Sequence, residues 1–99
     1  MKKPEILVIG TNPEILKTIL RLLNNKEGWC ATGAVNMEEA IAVFITKDFN
    51  LVLLGAGLSE DEEQQVRSRL SSLNPSILFV PHYGGGSGLL YAEVMQALG

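Results

Sequence analysis

Cysteine and histidine are almost missing from this sequence: Cys30 and His82 are the sole examples in 99 residues. One thiol cannot close an internal disulfide, and without a cluster of imidazole and thiolate ligands no zinc site is expected, so any metal would sit on oxygen atoms. Long apolar runs are lacking too. Ile6–Ile9 and Leu51–Leu54 fall far below the roughly 20 residues that span a bilayer, and Lys2 and Lys3 lead into Pro4 and Glu5 with no apolar stretch of secretory length. We therefore expect no membrane partner and a cytoplasmic location. Positive charge is scarce and scattered: eight Lys and Arg against eleven Asp and Glu leave a net charge of −3. No basic stripe is present to neutralise phosphates, which excludes nucleic acid as an expected partner. Neither glycine cluster is followed by the Gly-Lys-Ser/Thr of a Walker loop, and no GxGxxG stands at the first strand-helix turn, so nucleotide binding has no support.

What is present is apolar material for one core, 46% of the chain, and its length suits a single domain over 1–99. Ile6-Leu7-Val8-Ile9 reads as a strand covered on both faces, ending at Gly10. Asn12 is a good N-cap and Pro13 a good first helical residue, and Ile15, Leu16, Ile19, Leu20 and Leu23 fall on one helical face. A short second strand is predicted over Trp29–Thr32. Asn36 and Glu39 then open a helix whose Met37, Ala40, Ile41, Phe44 and Ile45 repeat at three and four residues. Leu51–Leu54 is a second all-apolar strand, broken by Gly55-Ala56-Gly57. Ser59 and Glu62 form a capping box for a helix over Glu60–Leu73, in which the large apolar residues are Val66, Leu70 and Leu73. After Asn74-Pro75 a fourth strand is predicted over Ile77–Val80, and after a Gly84–Gly88 loop a last helix carries Leu90, Tyr91, Val94, Met95 and Leu98. Four strand-helix alternations predict a three-layer α/β fold with a parallel four-stranded sheet and flanking helices.

Ile6-Leu7-Val8-Ile9 before a helix, Ala34-Val35-Asn36-Met37-Glu38-Glu39-Ala40, and Phe49-Asn50-Leu51-Val52-Leu53-Leu54 resemble the receiver domains of two-component response regulators over about the first two-thirds of the chain. The resemblance implies a flavodoxin-like sheet of order 2-1-3-4, here lacking the family's fourth helix and fifth strand. It also implies phosphoryl transfer from a histidine kinase to an aspartate at the end of the third strand, with magnesium held by that aspartate and an acidic pair after the first strand. Magnesium prefers carboxylate oxygens and offsets the charge on the transferring group. Carried over residue by residue, the acidic pair falls on Gly10 and Thr11, the phosphoacceptor on Gly55 and the switch hydroxyl on Pro81. None is a carboxylate or a hydroxyl-bearing switch residue except Thr11, which has a hydroxyl where a carboxylate is needed. The expectation is a degenerate, truncated receiver with no catalytic residues, no metal and no cofactor.

Gly10, Thr11 and Asn12, Gly55 and Gly57, and the loop holding His82, Tyr83 and Ser87 all follow strand C-termini, where open α/β sheets place ligands. They are candidate ligand or partner loops, although glycines there also serve simply as turn residues. His82 has no partner to make it an acid or base. Cys30, with no second cysteine or nearby base, reads as a small buried hydrophobe, and Trp29 as cover for the core. In the order 2-1-3-4 the fourth strand is an apolar edge without blunting charges. Ile77, Phe79, Leu90, Val94 and Leu98 are therefore candidate self-association residues, by strand pairing or by exchange of the last helix. The expected function is a phosphorylation-independent regulatory or protein-protein interaction module, a homodimer or the partner of another signalling protein. The alternative is a small-ligand or anion-binding domain using the glycine loops.

Overall fold

Ile6, Leu7, Val8 and Ile9 are all fully buried, a state a strand reaches only when both its faces and both its edges are covered. The computed structural model describes residues 4–26, 28–55, 57–81 and 87–98, with the side chains of 87–90 and 98 excepted. It runs β1 (Glu5–Ile9), α1 (Pro13–Asn25), β2 (Cys30–Ala34), α2 (Met37–Phe44), β3 (Leu51–Leu54), α3 (Glu60–Leu73), β4 (Leu78–Pro81) and α4 (Ser87–Leu98). The four strands form one parallel sheet of order β2-β1-β3-β4, as the alternation of elements and the family resemblance imply.

Alternation along β1 and β3 divides the core in two. Leu7, Ile9, Val52 and Leu54 face Ala40 and Phe44 of α2 and Val66 and Leu70 of α3, while Ile6, Val8, Leu51 and Leu53 face Leu16, Ile19 and Leu23 of α1 and Val94 of α4. The helix starts are set by side chains taking up free amides. Asn12 Oδ1 accepts from the Glu14 and Ile15 amides at 3.0 and 3.2 Å. Asn36 Oδ1 accepts from the Glu39 amide at 2.8 Å, and Ser59 and Glu62 form the reciprocal capping box at 3.1 Å each way. The N-terminal half of α4 is anchored to α1: the Tyr91 hydroxyl donates to the Leu22 carbonyl at 2.6 Å, and its ring meets Trp29 edge-on at 6.0 Å.

Several expectations need correction. β2 begins at Cys30 and runs to Ala34, because it is held in register with the whole of β1, from Glu5↔Cys30 to Ile9↔Ala34. Cys30 is half-buried, not enclosed, since β2 is a sheet edge. β4 begins one residue later than expected, because the Ile77 amide is engaged in a turn with the Asn74 carbonyl. α4 starts at Ser87 and so takes in Gly88, shortening the supposed loop. Ile45 and Leu73, expected on inward helical faces, are 68% and 53% exposed because each lies at the very end of its helix, beyond the sheet's cover. Among the described residues no helix is long and apolar enough to cross a membrane.

Replacing Tyr91 with Phe strands the Leu22 carbonyl and is expected to cost about 1 kcal/mol. Urea unfolding followed by the fluorescence of Trp29, the chain's one tryptophan, measures it directly.

Candidate functional site

The C-terminal ends of β1 and β3 lie side by side because the strands pair from Ile6↔Leu51 to Ile9↔Leu54. The pairing continues past them: the Gly55 amide donates to the Ile9 carbonyl at 2.7 Å, and the Gly10 amide donates to the Ala34 carbonyl at 3.0 Å. This draws the two loops into contact. A Cβ built on Gly55 would stand 2.9 Å from the Ile9 carbonyl oxygen and 3.5 Å from the Gly10 Cα, so the backbone fills the space a side chain would need. Two residues on, Gly57 takes a φ of 100°, and the Thr11 hydroxyl occupies the place of its missing Cβ.

Five of the candidate loop residues, Gly10, Thr11, Asn12, Gly55 and Gly57, are thus brought together at one end of the sheet. His82 and Tyr83 lie outside the described residues, and Ser87 opens α4 without a described side chain. Some donors of this end are already engaged. Asn12 takes the first amides of α1, Ser59 takes that of Glu62, and α3 opens with Glu60, Asp61, Glu62 and Glu63, whose charge repels an anion. A hard divalent cation does not fit the residues present either. Gly10 and Gly55 carry no side-chain oxygen, Thr11 offers one neutral hydroxyl, and the cation prefers carboxylates. Among the described residues no cluster of three or more His, Cys, Asp or Glu could hold a metal ion.

The outer edge of β4 is the second candidate surface, and its residues differ from those expected. Val94 is fully buried and Ile77 nearly so, both packed within the same chain: α4 already lies on its own sheet, and Ile77 precedes the strand and turns into the α2–α3 layer. Neither is available to a second copy. Leu90 and Leu98 belong to α4, and their side chains lie outside the described residues. Phe79 is half-buried, with the Arg67 guanidinium 5.5 Å from its ring centroid. The residue missed is Leu78, 43% exposed. Its signal was in the alternation: with Ile77 and Phe79 directed to one face, Leu78 must point to the other, at the end of β4. Beside β4 a groove of about 320 Å³ runs between Phe79, Val80 and Pro81 and the Glu93, Gln96 and Ala97 side of α4.

Gly55→Ala is expected to destabilise the fold by about 1–3 kcal/mol through overpacking against the Ile9 carbonyl. Gly57→Ala is expected to cost about 1–2 kcal/mol from the left-handed backbone alone. Because its Cβ also meets the Thr11 hydroxyl, part of the loss should return when Thr11→Ala is added. A denaturation double-mutant cycle reads this coupling.

No protein-family profile matches the sequence, and comparison with curated proteins gives no match. The structure, in contrast, is similar to many solved ones. A signal receiver domain of an HD domain-containing protein from Pseudomonas fluorescens Pf-5 superposes with a TM-score of 0.80 at 17% identity, over 98% of this chain and 95% of that one. A two-component response regulator from Clostridium difficile gives 0.75 at 20% identity, over 96% and 95%. The response regulator TrrA from Thermotoga maritima, solved in complex with Mg(2+)-BeF, gives 0.67 at 24% identity, over 85% and 72%. The parallel sheet of order β2-β1-β3-β4 with its flanking helices is the receiver-domain fold.

Proposed function

We propose that this chain is a receiver-like regulatory module of a cytoplasmic signalling system, acting as one domain through protein-protein contact, without phosphoryl transfer, and self-associating along the outer edge of β4. The observation that carries the reading is the closure of the β1 and β3 loops on each other, the Gly55 amide on the Ile9 carbonyl at 2.7 Å. The receiver reaction uses a carboxylate nucleophile with a cation held beside it. Gly10, Thr11 and Gly55 supply neither, and a side chain at Gly55 would press on the backbone of β1. With no nucleophile or metal site in this reading, the module is a binding protein and not an enzyme. Anion binding at the glycine loops is the weaker reading, because the helix-start amides are self-capped and the α3 start is acidic.

Self-association is supported by the chemistry of the edge. Leu78-Phe79-Val80-Pro81 carries none of the charges that often blunt a sheet edge exposed to water, so that its short length and Pro81 are the blunting features the strand itself has. An antiparallel pairing of β4 with β4 across a two-fold axis would continue the sheet and cover Leu78 on both copies. Another signalling protein offering an extended strand could take the same place.

Two measurements test the reading. After incubation with acetyl phosphate and Mg²⁺, mass spectrometry is expected to return the unmodified mass; an acyl-phosphate adduct would overturn phosphorylation independence. Sedimentation equilibrium is expected to give a dimer that Leu78→Lys converts to a folded monomer. A wild-type monomer at every accessible concentration would remove self-association from the proposal.

A further inference from the structure

We infer that the opposite end of the sheet, where α2 and α3 finish, docks a cationic amphipathic helix of a partner protein. This surface is separate from the closed strand-end loops. Of the five large apolar side chains most exposed among the described residues, Ile45 and Leu73 stand here clear of the proposed β4 pairing, and Leu78, which that pairing would cover, closes the far rim. They rim two adjoining grooves of about 410 and 400 Å³ that share Asp48, Phe49 and Asn74. The floor is firm, since Phe49 stacks on Phe44 at a centroid distance of 5.8 Å and an interplanar angle of 12°.

Charge selects the occupant. α2 and α3 both present their C-terminal ends to this surface, with Ile45 and Asn74 as caps, and neither helix has a basic residue in its last turn. The negative ends of the two helix dipoles thus face no cation from their own last turns, and Asp48 adds a negative charge beside them. The one cation lining the grooves among the described residues, Lys47, is half-exposed and has its ammonium 3.9 Å from Glu5 Oε1. That oxygen is buried and has no hydrogen-bond partner, so the Lys47 charge is directed at Glu5. What remains is an apolar rim around a negative field. An amphipathic helix fits it, with apolar side chains at i, i+3 and i+7 between Ile45 and Leu73 and a Lys or Arg reaching Asp48 and the helix ends.

The test titrates the full ¹⁵N-labelled chain with a synthetic amphipathic helix bearing a Leu stripe flanked by Lys, and with its counterpart carrying Glu for each Lys. The Lys peptide is expected to shift amides of residues 44–50 and 73–78 saturably and to bind at least about tenfold more tightly than the Glu peptide, a factor set by charge complementarity. Asp48→Lys should remove that preference and Leu73→Glu should abolish binding; both positions are at the surface, and the amide spectrum verifies that each variant is folded. Equal affinity for the two peptides, shifts centred elsewhere, or no shifts at all would overturn the inference. So would concentration-dependent shifts at 44–50 without peptide, which would assign the surface to a second copy of this chain.

Discussion

Everything in this fold depends on β1 being buried on every side. A strand with no access to water must satisfy its amides and carbonyls along both edges, which β2 and β3 do from Glu5↔Cys30 to Ile9↔Leu54. It must also cover two apolar faces at once, which forces helices onto both sides of the sheet and makes parallel crossovers the economical connection. The two half-cores are therefore not independent. Each draws on alternate residues of β1 and β3, so losing β1 would empty both.

The same constraint explains why the strand-end loops are closed. β1 and β3 are neighbours because β1 is central, and their hydrogen bonding runs on into Gly55. With carboxylates after the strands, mutual repulsion and the demands of a bound cation would hold such loops apart. With glycine at 10 and 55 nothing resists approach, and the backbone takes the space. In the reading proposed above, interaction chemistry lies on other parts of the surface, on the edge of β4 and on the apolar rim at the ends of α2 and α3.

α4 occupies a particular position in this arrangement. It covers β3 and β4 on the α1 side, and the Tyr91 hydroxyl ties it to the last turn of α1 while Trp29 and the Lys26 ammonium pack around the Tyr91 ring. Through Val94 and Tyr91 the helix thus contributes to the core within one chain.

The sequence by itself determined the order of elements, since continuous apolar runs at 6–9 and 51–54, caps at Asn12, Asn36 and Ser59, and helical periodicity between them permit few other arrangements, whereas the strand order followed from the resemblance to receiver domains and is seen in the sheet itself. That Gly10, Thr11 and Gly55 carry no carboxylate is likewise read from the sequence alone. Only the tertiary structure decided where apolar residues end up when periodicity is ambiguous. Ile45 and Leu73 fit their helical stripes yet lie past the sheet's cover, Val94 is buried at home, and Leu78 is left outside. Those outcomes follow from how far each helix overhangs the sheet, a long-range geometric quantity that no local spacing encodes.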